Sequence, residues 1–380
     1  MKWLDWLRSR VSALVLRGPI LDFWLGRKAR KLDAQYTRTL LAHSRKASAI
    51  RASSKIKPRS SLKKILFIGD IHWELEQLVP EITKICPVQT LDLHPCLREH
   101  QGKNTASSAV VSVLDRFTKE ERSLEPDLIF FYARSALLSE EAFHLLRRRW
   151  NVPVLGMNLD DKIEFLDYGL FHVQNDNYQK WAGFFDLNLS NVRAAVDWYA
   201  DQGHPVYYFP EGYCPKTPPP PAATAFVWEM AFVGSWRPER AALCEELRAA
   251  GVPLEIFGRG WPHGNPCENP EAVYRSAMMN LGIGFASPSR TLTTLKARDF
   301  ECPGAGACYL TTYNWELALH YHIGKEILCY RSTEELIELF SFYRRRPEEC
   351  LKIAQAAYHR CLNEHTWEKR FRRLFHEIGV

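Results

Sequence analysis

From Lys64 onward, apolar and polar positions fall into a repeating pattern. Residues 65–69 (ILFIG) form a short unbroken apolar run closed by glycine, the form of a strand buried on both faces before its turn. A helix is predicted over residues 73–85 and a second strand over 90–93. Glu125-Pro126-Asp127 leads into a third strand, 128–132 (LIFFY), followed by a helix carrying Glu140, Glu141 and Leu145 and a strand at 152–156. Strands at 185–189 and 206–209, with a helix over 192–202 between them, complete this half. The alternation predicts an open parallel sheet with helices on both faces. Residues 217–224 (TPPPPAAT) then break it, because four consecutive prolines favour polyproline II and continue neither helix nor central strand. Beyond them the alternation restarts. A strand at 228–233 ends in Gly234-Ser235-Trp236-Arg237, a helix spans 239–249, and a strand at 254–257 ends in Gly258-Arg259-Gly260-Trp261. A helix over 274–279 leads to residues 280–285, short strands follow at 307–310 and 326–330, and helices rich in Glu, Arg and Leu fill 332–378.

This pattern divides the chain into a basic arm and tether (1–63), a first Rossmann-like domain (64–216), a proline-rich hinge (217–224) and a second domain (225–380). At 380 residues two domains are the natural expectation. Charge sharpens the division. Residues 1–64 hold 17 Lys and Arg against Asp5, Asp22 and Asp33, so a chain of net charge +6 has a body of net charge −8. A basic arm on a mildly acidic body argues against nucleic acid as a partner. Within residues 1–31, Asp5, Arg8, Arg10 and Arg17 interrupt the apolar runs, which excludes a membrane span and a secretory signal there. Leu4, Leu7, Val11 and Leu14 recur at helical spacing beside Trp3 and Trp6, with arginines flanking them. That pattern suits a helix lying on an anionic membrane surface, and so a peripheral protein on the cytoplasmic face of the membrane. The ten cysteines include no CxxC pair and suggest reduced, mostly buried thiols.

Candidate chemistry gathers at residues 294–312, TLKARDFECPGAGACYLTT. Lys296 and Arg298 can meet an anion, Glu301 can accept hydrogen bonds from sugar hydroxyls, and the small residues let a backbone approach closely. A nucleotide sugar needs those three things. In the first half, Asp70 and His72 follow the first strand at the sheet edge where ligands bind. Gly69-Asp70-Ile71-His72 resembles the opening of a two-metal phosphoesterase site, but no GNH[DE] segment or second Gly-Asp supplies the other ligands. His72 is therefore a candidate acceptor-side base. Asn158, Asp160 and Asp161 follow the 152–156 strand on the same edge, and Asp161 is a second catalytic candidate, the alternative being a helix cap. A nicotinamide oxidoreductase is disfavoured, because ILFIG runs into DIHWE and no GxGxxG is present.

Two Rossmann-like halves around a proline hinge resemble the GT-B glycosyltransferases. Within these, FVGSWRPER (232–240), IFGRGW (256–261), LKARDFECPGAG (295–306), YLTTY (309–313), GKEILCYRSTEELIELFSFYRRRPEE (324–349) and NEHTWEKRFRRL (363–374) resemble the CgeB-like, spore-maturation-type proteins with a group 1 glycosyltransferase C-terminal domain. The resemblance covers the C-terminal half almost continuously and the N-terminal half only by fold pattern. It implies two domains facing a cleft, the first (64–216) for the acceptor, a nucleotide-diphosphate donor (UDP- or GDP-linked) on the second domain, and a glycan, lipid-linked or protein hydroxyl as acceptor. By motif position, Glu301 holds the ribose, and Gly304 and Gly306 belong to a turn beside the phosphates. Arg237, Lys296 and Arg298 compensate the diphosphate, with Gly234, Gly258, Arg259 and Trp261 bordering the nucleotide. With cations in that role, and no DxD-type triplet, no metal is expected. One departure is informative: relatives carry Glu eight residues before the ribose glutamate, where this chain has Thr293. That leaves the donor sugar and the stereochemistry open, and keeps a non-catalytic GT-B-like binding protein as the alternative.

Overall fold

The structure is a computed structural model, and it describes residues 56, 62–69, 74–99, 103–133, 137–164, 178–216, 226–286 and 289–380. Nearly all of the N-terminal arm, His72 and the proline hinge lie outside the described residues. The chain forms two compact units. One holds the described residues up to Pro210 together with Trp367–Val380, and the other holds Glu211–Thr366.

The first unit is built on six parallel strands: β1 (Ile65–Gly69), β2 (Val88–Asp92), β3 (Leu128–Tyr132), β4 (Val154–Asn158), β5 (Leu187–Ser190) and β6 (Val206–Tyr208), in the order β2-β1-β3-β4-β5-β6. Every residue of β1, β4 and β5 is buried, which is why β1 reads as an apolar run rather than an alternation; β5, LNLS, alternates, with Asn188 and Ser190 buried as well. Helices α1 (Glu74–Thr83), α2 (His94–Glu99), α3 (Lys103–Glu120), α4 (Glu140–Arg149), α5 (Asp161–Glu164) and α6 (Ala195–Asp201) connect them. Helix α4 shows why the sequence folds locally as it does. Ser139 caps its first turn by accepting from the Ala142 N–H (3.2 Å), and the acids Glu140 and Glu141 at its start and arginines 147–149 at its end both suit the helix dipole.

In the second unit the strands are β7 (Trp228–Val233), β8 (Leu254–Phe257), β9 (Ala277–Gly282), β10 (Tyr309–Thr312) and β11 (Leu328–Tyr330). They are parallel and ordered β11-β10-β9-β7-β8. Helices α7 (Pro238–Ala249), α8 (Pro270–Ser276), α9 (Arg298–Gly304), α10 (Thr333–Tyr343) and α11 (Pro347–Glu364) cover them. One cluster of buried side chains, among them Met230, Phe232, Leu243, Leu281 and Ile353, packs one part of this unit, and another, including Tyr213, Phe300 and Cys361, packs a second. Because β8 and β9 flank β7 on opposite sides, the strand order reverses between β7 and β9, and that is where ligands settle in open parallel sheets.

Two expectations need correction. The predicted helix at 274–279 ends instead at Ser276, and Ala277–Gly282 is the strand between β7 and β10. Asn269 caps the helix and Pro270 opens it, so it starts and stops earlier, and a fully buried run such as AMMNLG carries no period that separates strand from helix. The final helix, α12 (Trp367–Ile378), belongs with the first unit rather than the second. Its stripe of Phe371, Leu374, Phe375 and Ile378 is buried, Phe371 meets Phe130 edge-on (5.6 Å) and Phe209 (5.2 Å), and its main chain donates from Glu368 to Glu81. Helical spacing shows that one face must be covered, but not by which sheet.

Candidate functional site

At the carboxyl ends of β7 and β8 two glycine loops press against each other. Gly234 donates its N–H to Phe257 O (2.9 Å), and Trp236 donates to Arg259 O (2.9 Å). Gly258 has φ +131°, and a Cβ there would run into the Gly234 carbonyl. Trp261 closes the junction: its indole N–H donates to Gly234 O (2.7 Å) and its ring meets Phe232 edge-on (5.9 Å). Glycine is therefore required at Gly258 by close backbone approach, and at Gly234 by the Phe232 and Arg298 side chains that a Cβ would meet.

Arg298 is brought to the point between β7 and β9 where the strand order reverses. It is the first residue of α9, and its Nη2 donates to Ile283 O, just beyond β9 (3.2 Å). A Cβ at Gly234 would stand 3.0 Å from its Nη1, so glycine leaves the room the guanidinium occupies. The group also lies over the Phe232 ring (5.4 Å). Asp299 holds the start of α9 from within: buried, it accepts from the Lys296 N–H (2.8 Å) and from the Tyr309 hydroxyl (2.9 Å). Burial opposes charge on Arg298, but Tyr309, Tyr274, Asp299 and Glu301 outweigh it and raise its pKa. Glu301, half-buried on the same helix, has its pKa raised by burial, against the pull of Arg298 and Lys216.

Arg240, which the sequence reading did not select, completes the site. It stands in the first turn of α7, with Nη1 donating to Ser235 O (2.9 Å). Burial and then the neighbouring Arg298 push its pKa down to about 10, with Arg237 adding to the like-charge repulsion and Glu239 opposing it. Among the described residues, neither Arg240 nor Arg298 forms an ion pair within 4 Å, and Nε of each is buried without a hydrogen-bond partner. Two guanidinium groups thus converge at the N-terminus of a 12-residue helix. This arrangement can take an anion with more than one charge. Its sequence signal was present in GSWRPER: a cation one turn inside a helix that opens directly after a glycine loop.

The remaining candidates divide. Arg237, exposed at the N-cap position of α7, and Arg259, exposed in the second glycine loop, lie on the same sheet edge. Lys296 is half-buried immediately before α9. Trp261 supports the loops rather than standing open to a ligand. Gly304 and Gly306 are not beside the anion site. Helix α9 runs back along the sheet, so they sit at its opposite end, toward the start of β10; Gly304 packs on the Tyr213 ring, and Gly306 ends the helix with φ +74°. Asp161 is 0% exposed at the end of β4, where its Oδ1 accepts from Asn158 Nδ2 (2.8 Å) and the Tyr199 hydroxyl (2.9 Å). Burial drives its pKa up to about 7. It serves the architecture of that edge and has no surface with which to touch an acceptor. His72 lies outside the described residues. Among the described residues no group of three or more His, Cys, Asp or Glu side chains could hold a metal ion, and no helix is long and apolar enough to cross a membrane.

Two Rossmann-like α/β units of this kind form the GT-B architecture. Residues 237–376 match a family model described as glycosyl transferase-like. Among solved structures, sucrose-phosphate synthase from Thermosynechococcus elongatus is similar at 12% identity, over 83% of this chain and 99% of that one, with a TM-score of 0.57. Anabaena HepE in complex with UDP and glucose is similar at 12% identity, over 83% and 99%, with a TM-score of 0.56. UDP-GlcNAc 2-epimerase from Neisseria meningitidis bound to UDP-GlcNAc is similar at 12% identity, over 83% and 100%, with a TM-score of 0.50. A comparison with curated proteins gives no significant match.

Proposed function

We propose that this chain is a glycosyltransferase of the CgeB-like branch, moving a sugar from a nucleoside-diphosphate donor to an acceptor hydroxyl. The observation that carries the reading is the convergence of Arg298 and Arg240, without ion-pair partners among the described residues, where the strand order reverses. A diphosphate supplies the missing negative charge. It is also the leaving group of sugar transfer, so cations fixed there stabilise the charge that develops as the bond breaks. In the reaction the acceptor oxygen bonds to the anomeric carbon, the bond from that carbon to the diphosphate oxygen breaks, and the hydroxyl proton passes to a base, for which His72 is the candidate. Arg237 and Lys296 add positive charge at the edge, and Glu301 accepts from the ribose hydroxyls. Proteins of this architecture have been solved with UDP and glucose and with UDP-GlcNAc, which supports a UDP-linked donor. Residues 1–31 would hold the protein to an anionic membrane surface on the cytoplasmic face, where a lipid-linked or glycan acceptor would be met.

Titration calorimetry with UDP, GDP and inorganic pyrophosphate, followed by product analysis with UDP-linked and GDP-linked sugars, tests the reading. A nucleoside diphosphate that binds wild type and not Arg298→Ala, with release of nucleotide from a nucleotide sugar, supports it. Absence of binding by any nucleoside diphosphate rejects it, and binding without turnover of any donor leaves the non-catalytic alternative suggested by Thr293.

A further inference from the structure

Tyr213 stands where four parts of the second unit meet. It belongs to the segment by which the chain enters this unit, and its main-chain N–H donates to His365 O (2.9 Å), beside a short parallel bridge to Thr366. The entering and leaving segments are thus tied at one residue. Its hydroxyl donates to Glu271 Oε1 on α8 (3.2 Å), a buried carboxylate that Arg275 (2.9 Å) and Lys216 (3.3 Å) also hold. Its buried ring lies against α9 so closely that a Cβ at Gly304 would fall within it. On the same helix, nearer Arg298, Phe300 O accepts from the Cys361 thiol of α11 (3.3 Å), so α9 is held along its length by Tyr213 and by α11.

We propose that Tyr213 is a positioning residue for the anion site: by seating the Gly304 end of α9 it sets where Arg298 and Glu301 stand, and it ties that setting to the entering and leaving segments. The inference rests on the donor reading for its ligand but not for its geometry. A seven-residue helix is about 10 Å long and moves as a rigid rod, so a shift at its seated end is carried to Arg298. Sub-ångström displacement matters for a cation that must meet a phosphate oxygen. Gly304 is in this account the small residue that lets the ring in, which explains its place in the motif although it lies far from the anion.

The test uses the full chain with Gly304→Ala, Tyr213→Ala, the double variant and Tyr213→Phe, reading UDP affinity, melting temperature and amide hydrogen exchange along α9. Gly304→Ala and Tyr213→Ala are each expected to weaken UDP by roughly tenfold, while the double variant binds no worse than Tyr213→Ala alone, since the added methyl occupies the space of the lost ring. That non-additivity in affinity at similar melting temperature is what general destabilisation would not produce. Tyr213→Phe, which keeps the ring and loses the Glu271 bond, gives a smaller loss and serves if the larger variants fail to fold. Unchanged affinity and unchanged α9 exchange in the variants that fold would overturn the proposal. Should wild type bind no UDP, the donor reading fails separately, and exchange alone decides: faster exchange confined to α9 sustains the role of Tyr213, and no local change removes it.

Discussion

The carboxyl edges of the two sheets make an instructive pair. At the ends of β4 and β5, Asp161, Asn158 and Tyr199 are buried, and Asn158 and Tyr199 both donate to Asp161 Oδ1, while its Oδ2 has no partner. At the ends of β7 and β9, burial and Arg298 lower the pKa of Arg240, while Tyr309, Tyr274, Asp299 and Glu301 outweigh burial and raise that of Arg298, and the Nε groups of both arginines have no partner. Both edges are polar and both were candidates on sequence grounds. A carboxyl sealed from solvent offers a ligand no surface, whereas half-buried guanidinium groups without ion pairs can be reached by an anion. The second edge is the one proposed to bind.

That contrast can be broken most directly at Arg298. Arg298→Ala should weaken UDP and pyrophosphate alike by roughly 100-fold in calorimetry, as expected for loss of a charge-assisted contact, with Arg298→Lys recovering only part because the fork geometry is lost. Arg240→Ala follows at roughly tenfold, again for both ligands, since Arg298 remains to hold the anion. If pyrophosphate bound either variant as it binds wild type, the site would not be one for phosphates. Glu301→Gln sharpens the picture: it should weaken UDP several-fold and leave pyrophosphate untouched, because only the nucleotide carries ribose hydroxyls. An equal effect on both ligands would move Glu301 from reading ribose to setting charge.

The smallest effect on binding is expected at Asp161, where Asp161→Asn should leave UDP affinity unchanged. Its signature is in pH. The folded pKa near 7 lies above the ordinary value of 3.8, so its contribution to stability is complete below about pH 4 and is lost as pH rises through 7. Wild type should therefore melt a few degrees lower at about pH 8.5 than at about pH 5.5, and Asp161→Asn should flatten that difference. An unchanged pH profile in the variant would mean that the carboxylate is not held in its neutral form.

Much of the fold was legible in the chain. ILFIG, LIFFY, WEMAFV and LEIF were each read with the bounds they adopt, because largely buried parallel strands leave short, mostly apolar runs closed by a turn. Helix α8 and strand β9 were merged for the converse reason, since AMMNLG has no polar face to mark its period. In the candidate site, Arg298 and Glu301 were selected from the residue types of one stretch and the two glycine loops from the resemblance, while Arg240 was passed over, and Gly304 and Gly306 stand at the end of α9 away from Arg298. A motif orders residues along the chain, but the direction in which α9 runs against the sheet is set by β9 and β10.

The sequence by itself determined the two parallel sheets, the break between them, the concentration of basic residues in the first 64 positions and the stretch that offers candidate anion chemistry, because local hydrophobic period, turn residues and charge are properties of neighbours. Only the tertiary structure decided that β7 and β9 lie side by side, that Arg240 therefore faces Arg298, that Asp161 is closed off by Asn158 and Tyr199, and that α12 returns to the first unit. Those relations join residues distant along the chain, and strand order and packing alone bring them within reach of one another.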